Sequence, residues 1–179
     1  MKRIVLFSII LVLLVGTTVP ACSDATVTFP DWNLEIAIRD TINKPEGPIF
    51  MSDLKSLTIL EVQESDISDL TGLEHCTNLR WLAIVANNIS DLSPLASLTN
   101  LEMLALVENN TSDLSPLADL TNLQGLFLTS NNISDISPLV ENSELSEGDT
   151  VDLRGNPLST MSVNAYIPQL KERGVNVIQ

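Results

Sequence analysis

Leu57, Leu79, Leu101 and Leu123 stand 22 residues apart, and the segments that follow them can be laid over one another without a gap. The run Ile84-Val85-Ala86-Asn87-Asn88-Ile89-Ser90-Asp91-Leu92-Ser93-Pro94-Leu95 returns from Leu106 to Leu117 and again from Leu128 to Leu139. A fixed period of this length means that each unit is one small supersecondary element that cannot bury its apolar side alone, so the units must stack into a solenoid around a continuous core. Aromatic residues are 4% of a chain that is 44% hydrophobic, so that core is aliphatic. No glycine-rich or charged linker divides the 179 residues, and the chain reads as one domain.

Within a unit, a short alternating segment such as Leu82-Ala83-Ile84 sends every second side chain inward, as a strand does. Copies of that strand stack in parallel at a spacing of about 4.8 Å. Asn87, Asn109, Asn131 and Asn156 then form a column at the turn that follows, where a buried amide can satisfy backbone groups the turn leaves unpaired. Ser65 replaces this Asn in the first unit, so the column is expected to be weakest there.

The pattern Leu-x-x-Leu-x-Leu-x-x-Asn-x-Ile holds over four consecutive units, and a fifth, Val151 to Leu158, keeps its core after a three-residue insertion. This pattern resembles leucine-rich repeats of the internalin type found on bacterial surface proteins, over roughly Leu54 to Leu158. The resemblance implies an α/β leucine-rich-repeat solenoid. Short parallel strands would line a concave face and helical or 3-10 turns a convex one, with an N-terminal helical cap and a C-terminal helix closing the ends.

On the outer side, Ser-Pro-Leu follows Asp91, Asp113 and Asp135, which places Asp before a short helical turn with Pro near its start. Capping is the expected role of these carboxylates, and calcium binding by the Asp column is the alternative. Asp31 to Ile42 reads as the cap helix, with Leu34, Ile38 and Ile42 on one stripe over the open end of the core. Ser162 to Arg173 reads as the closing helix, with Val163, Tyr166, Ile167 and Leu170 on one face, Pro168 kinking or shortening it and Gly174 stopping it. Val175 to Ile178 adds a final strand.

Lys2-Arg3, the apolar run Ile4 to Val15 and Val19-Pro20-Ala21-Cys22 follow the basic, apolar, small-residue order of a secretory signal. Twelve apolar residues are too few to span a bilayer comfortably as a helix. Val19 to Cys22 also resembles a bacterial lipobox, in which the cysteine is acylated, although Pro20 departs from the usual residue there. Lipidation of Cys22 would tie the protein to a membrane; ordinary cleavage would release it. The expected organisation is 1–21 as signal peptide, 22–53 as N-terminal extension and cap helix, 54–158 as about five repeats, and 159–179 as C-terminal cap. The expected location is the cell envelope or cell surface.

Taking Lys2 and Arg3 from the nine basic residues leaves seven against 23 acidic ones, a formal charge of −16. Such a surface repels nucleic acid and anionic headgroups. It keeps an exported repeat protein soluble, and it also attracts basic partners.

The residues between the buried leucines face the concavity in three lateral columns. These are Ile59, Trp81, Met103, Gly125 and Thr150; then Glu61, Ala83, Ala105, Phe127 and Asp152; then Gln63, Val85, Val107, Thr129 and Arg154. An exposed sheet face is normally polar, yet Trp81, Val85, Met103, Val107 and Phe127 gather here around two alanines, which marks a candidate contact surface for a protein or peptide ligand. Trp81 and Phe127 are the expected anchors, Met103 an adaptable neighbour, and Gly125 a dent beside the Phe127 ring. Glu61, Asp152 and Arg154 would form a polar rim.

Nothing in the sequence calls for catalysis or a cofactor. His75 falls where Ser97 and Asp119 lie in the next units and is expected on the solvated outer side; Cys76 falls where Leu98 and Leu120 lie and is expected in the core. No phosphate-cradling glycine loop, metal-spaced His or Cys pair, or Gly-x-Ser-x-Gly elbow occurs. Glu61 and Asp152 are four strands apart in this register, about 19 Å, too far for paired acid and base work. Asn88-Ile89-Ser90 and Asn132-Ile133-Ser134 match glycosylation acceptors, but the repeat itself generates them. An exported binding module is therefore the expected function. Self-association within an envelope layer and a carbohydrate-binding surface are the alternatives.

Overall fold

The computed structural model describes residues 24–179, so the signal segment and the lipidation candidate Cys22 lie outside the described residues. Among the described residues no helix is long and apolar enough to cross a membrane. The described chain opens with β1 (Thr26–Val27), which pairs antiparallel with β2 (Ile49–Phe50), and between them runs the cap helix α1 (Trp32–Thr41). Asp31 starts α1 in the expected way: its Oδ1 accepts the backbone N–H groups of Asn33 and Leu34 at 3.0 and 3.1 Å. Leu34 and Ile38 are fully buried over the first repeat, while Ile42 is half-buried. A short helix α2 (Met51–Leu54) follows, where the Asp53 carboxylate accepts from the Phe50 N–H at 2.8 Å and from Lys44.

Six strands then form one parallel sheet in chain order: β3 (Ile59–Gln63), β4 (Trp81–Val85), β5 (Met103–Ala105), β6 (Gly125–Phe127), β7 (Thr150–Asp152) and β8 (Asn176–Ile178). Ile59 pairs with Trp81, Trp81 with Met103, Met103 with Gly125 and Gly125 with Thr150, the first lateral column read from the repeat. The second column, Glu61 to Asp152, pairs likewise. Behind the sheet, the repeat leucines and isoleucines form one continuous core, most of them with no exposed surface. Removing one such side chain to alanine typically costs about 2–5 kcal/mol.

The asparagine column works as a ladder between units. Oδ1 of Asn109, Asn131 and Asn156 accepts from the N–H of Ile89, Thr111 and Ile133 in the preceding unit. The same three amides donate through Nδ2 to the carbonyls of Ile84, Leu106 and Leu128 at 2.7, 2.7 and 2.8 Å. Asn87 accepts from Ser65 and Ile67 but donates only to Val85 of its own unit. The column ends at Ser65, whose hydroxyl reaches only the Gln63 carbonyl. Immediately before each ladder position the chain turns through left-handed backbone: Glu64, Ala86, Glu108 and Ser130 have φ of 49° to 57°, and Gly155 has φ 72°. Glycine serves this conformation without strain, and only the last unit uses it.

On the convex side are 3-10 turns at Leu73–His75, Ser93–Leu95 and Ser115–Leu117, and the longer α3 (Ser137–Glu141). Asp91, Asp113 and Asp135 accept from the N–H of Ser93, Ser115 and Ser137 at 2.8, 2.8 and 2.9 Å. They do so from one residue earlier than the capping position, which Leu92, Leu114 and Ile136 occupy. The expectation of N-caps is corrected: each Asp closes an Asx turn that leads the chain into the helical turn.

The C-terminal element also differs from one regular helix. Residues Ser162–Tyr166 form a π-helical turn, and α4 (Ile167–Glu172) continues from it with Pro168 in its first turn. Pro168 has no N–H to give to the preceding turn, so the wider turn accommodates it. Because the turn is wider, the buried face shifts: Ile167 and Leu170 are in the core, but Val163 is 39% exposed and its place is taken by the buried Ser162. Arg173 then fastens this end to α3, donating to the carbonyls of Asn142 and Val140 at 3.0 and 2.7 Å.

Candidate functional site: the concave face of the sheet

Parallel strands whose inward residues are all leucine-like leave their alternate residues on the opposite face, and this face is where the expected site residues lie. Ile59 and Trp81 are the exposed large apolar groups of the sheet, at 54% and 40%. Met103, Val85, Val107 and Phe127 are half-buried beside them, with Ala83 and Ala105 between. A shallow groove of about 290 Å³ runs along Ile59, Trp81 and Met103, edged by Thr58, Arg80 and Glu102. The Arg80 guanidinium is fixed by Glu102 through Nε at 2.8 Å, so this edge is a closed ion pair.

Two details of the expected site are corrected. Gly125 leaves no dent, because the Met103 thioether folds over it and the Phe127 ring lies 3.2 Å from where a Cβ would stand. Asp152 is not part of an open rim. It is only 4% exposed, and the exposed Arg154 closes over it with Nε to Oδ1 at 3.0 Å and Nη2 to Oδ2 at 2.6 Å. The Arg154 side-chain hydrogen bonds, helped by its backbone N–H and the Thr129 hydroxyl, outweigh the effect of burial and hold the Asp152 carboxyl below the ordinary range. Glu61 stays exposed, so the rim consists of Glu61 at one end and the paired Arg154 at the other.

Sequence reasoning did not single out Ile59 as a contact residue, nor the amide column on the flank of the sheet. Asn78, Asn100 and Asn122 donate to the carbonyls of Lys55, Thr77 and Thr99 in the preceding unit. Their spacing of 22 residues is visible in the sequence beside the leucines. They line a groove of about 400 Å³ that shares Thr58, Arg80 and Glu102 with the groove along Trp81.

His75 is half-buried in its 3-10 turn beside Glu74, at 3.8 Å, and so less solvated than its position in the repeat implies. Cys76 lies in the core as expected, and burial, with the Glu74 charge added, pushes its thiol up to about 12. Among the described residues no three His, Cys, Asp or Glu side chains converge in a group that could hold a metal ion.

A family model described as leucine-rich repeats in two copies matches residues 99–141. No curated protein sequence matches the chain. Among solved structures, an internalin (InlF) from Listeria monocytogenes is similar at 34% identity and a TM-score of 0.73, over 84% of this chain and 43% of that one. The functional domain of InlJ from the same organism, which includes a cysteine ladder, is similar at 26% identity and a TM-score of 0.59, over 73% of this chain and 37% of that one. Internalin C2, also from Listeria monocytogenes, shares the fold at 24% identity and a TM-score of 0.54, over 87% of this chain and 97% of its own. The chain thus spans less than half the length of the InlF and InlJ chains it resembles. Repeat, ladder and sheet together make this an internalin-like leucine-rich-repeat protein.

Proposed function

We propose that the protein is an exported binding module that recognises a protein or peptide ligand on its concave face. The internalin-like leucine-rich-repeat fold supports a protein-interaction role in general. The observation that carries the specific reading is the row of apolar side chains across the sheet, with Ile59 and Trp81 left open to solvent on an otherwise acidic chain. Trp81 and Phe127 anchor the ligand, Met103 adapts to it, Val85 and Val107 extend the surface, and Glu61 with the Arg154–Asp152 pair bounds it. The chemistry is association and not catalysis: the Cys76 thiol is buried and protonated, and the Arg80 and Arg154 guanidiniums already hold carboxylates.

In the same reading, residues 1–21 direct export, Cys22 carries a lipid anchor to the cell envelope, residues 22–53 form the N-terminal extension and cap, 54–158 the repeats and 159–179 the closing cap. A saccharide ligand is the second reading. It is favoured by the amides of Asn78, Asn100 and Asn122 in the groove adjoining that of Trp81, a mixture of hydrogen-bonding groups and a stacking platform. Proximity crosslinking on intact cells, comparing the wild type with Trp81→Glu/Phe127→Glu at matched surface abundance, tests the proposal. Loss of one specific crosslinked protein supports it. Unchanged crosslinks, or loss of labelling on addition of soluble glycans alone, count against it.

A further inference from the structure

The cap helix and the first strand of the sheet do not close against each other at the concave edge. Ile36, Ala37 and Asp40 of α1 form one wall of a cleft of about 470 Å³, and Glu61, Val62 and Gln63 of β3 form the other. The same three β3 residues border a second hollow of about 390 Å³ that reaches Ala83 and Val85. The cleft is therefore continuous with the apolar concave surface.

Its charge is uncompensated. Among the described residues neither Asp40 nor Glu61 is in an ion pair, and the cations nearest in sequence to Asp40 are committed elsewhere: Arg39 holds Glu35 at 2.7 Å, and Lys44 holds Asp53. Arg80 and Arg154 are paired with Glu102 and Asp152, and Arg173 with backbone carbonyls. The chain has few free cations to offer this cleft, and its formal charge is −14 overall. The walls combine an apolar stretch, Ile36, Ala37 and Val62, with two carboxylates. That combination matches a side chain with an alkyl stem and a cationic head.

We propose that this cleft takes a lysine or arginine side chain of the protein partner, whose apolar residues run on over Val85, Val107 and Phe127. The inference rests on the concave-face reading and adds the partner's chemistry: a basic residue at the cap end of an otherwise apolar segment. The stem lies on Ile36, Ala37 and Val62, and the head donates charge-assisted hydrogen bonds to Asp40 and Glu61.

The test uses a short synthetic peptide alternating arginine with leucine, and a counterpart with uncharged citrulline in place of arginine, each titrated into the purified protein and followed by backbone amide NMR. Asp40→Asn/Glu61→Gln is compared with Asp119→Asn/Glu141→Gln, which removes two exposed charges elsewhere on the solenoid. Circular dichroism and Tm confirm that both variants stay folded. The arginine peptide is expected to shift the amides of α1 and β3 and to lose about tenfold or more in affinity in the cleft variant only; the citrulline peptide is expected to bind the wild type as weakly as the arginine peptide binds that variant. Equal weakening by the control pair, equal binding of the citrulline peptide, or no binding of the arginine peptide overturns the proposal. A natural partner lost by Trp81→Glu/Phe127→Glu but kept at full affinity by Asp40→Asn/Glu61→Gln overturns it while leaving the concave-face reading intact.

Discussion

Oδ2 of Asp31 lies 2.8 Å from the amide nitrogen of Ser68, so the carboxylate that caps the first helix also ties that helix to the first repeat. The same oxygen accepts from the Asp69 N–H at 3.2 Å, while Oδ1 serves Asn33 and Leu34. Partial burial raises the pKa of this carboxyl, but the backbone N–H groups of Ser68, Leu34, Asp69 and Asn33 together outweigh it and hold the value below the ordinary range. A depressed folded-state pKa means the stabilisation is complete above the unfolded value, about 3.9, and is lost as pH falls through the lower folded value.

Asp31→Ala is therefore expected to cost about 1–3 kcal/mol at pH 7 in denaturant unfolding, combining a lost cap with unpaired N–H groups. The gap between wild type and variant should shrink once the pH drops below the ordinary carboxylate range. A gap that stays constant down to acid pH would show that the charge does not carry the tie.

The ladder asparagines and the flank asparagines look alike in sequence and should behave differently. Asn131 is buried and holds Thr111 N–H and the Leu106 carbonyl across two units, whereas Asn122 makes one exposed bond to Thr99. Asn131→Ala should cost about 3 kcal/mol, because buried backbone groups are left unpaired, and Asn122→Ala less than about 1 kcal/mol. Equal losses in urea denaturation would contradict this division.

Ala86 stands at φ 52°, a conformation that costs a residue with a Cβ roughly 1 kcal/mol or more. Ala86→Gly should consequently raise stability by up to about 1 kcal/mol, while Ala37→Gly inside α1 should lower it by about the same amount. Differential scanning calorimetry decides between this and the ordinary expectation that both substitutions destabilise.

What the sequence revealed follows from which features repeat. The strand columns, the leucine core and the ladder amides recur every 22 residues with alternation inside each unit, so pairing of Trp81 with Met103 and of Ala105 with Phe127 could be read in advance. The left-handed turn also recurs, but Glu64, Ala86, Glu108 and Ser130 share no residue type that announces it; only Gly155 does. The two-residue strands β1 and β2 are too short to show alternation. The closure of Arg154 over Asp152 and the fold of Met103 over Gly125 depend on side-chain rotamers, which a one-dimensional pattern does not carry. Gly72 shows the same limit. It stands where later units have Pro94, Pro116 and Pro138, because the Phe29 ring lies 2.5 Å from where its Cβ would be.

That contact yields a further expectation. Gly72 has φ 104°, so Gly72→Ala adds both backbone strain and a clash with a buried ring, and should destabilise the cap by about 2 kcal/mol or more. Hydrogen exchange should then speed up in α1 and β1 before the later repeats, since cap and repeats open as separate units. Uniform acceleration along the solenoid would contradict the local reading.

Ligand contact is expected on the concave face. The most direct measurement of that contact places a photo-reactive side chain at Val107, among the apolar concave residues, and in parallel at Asp119, exposed outside the strands, and irradiates intact cells carrying each form at equal abundance. A single protein species trapped from position 107 and not from 119 is the predicted result. The same species trapped from 119 alone, or none from 107 alongside one from 119, would move recognition off the concave face.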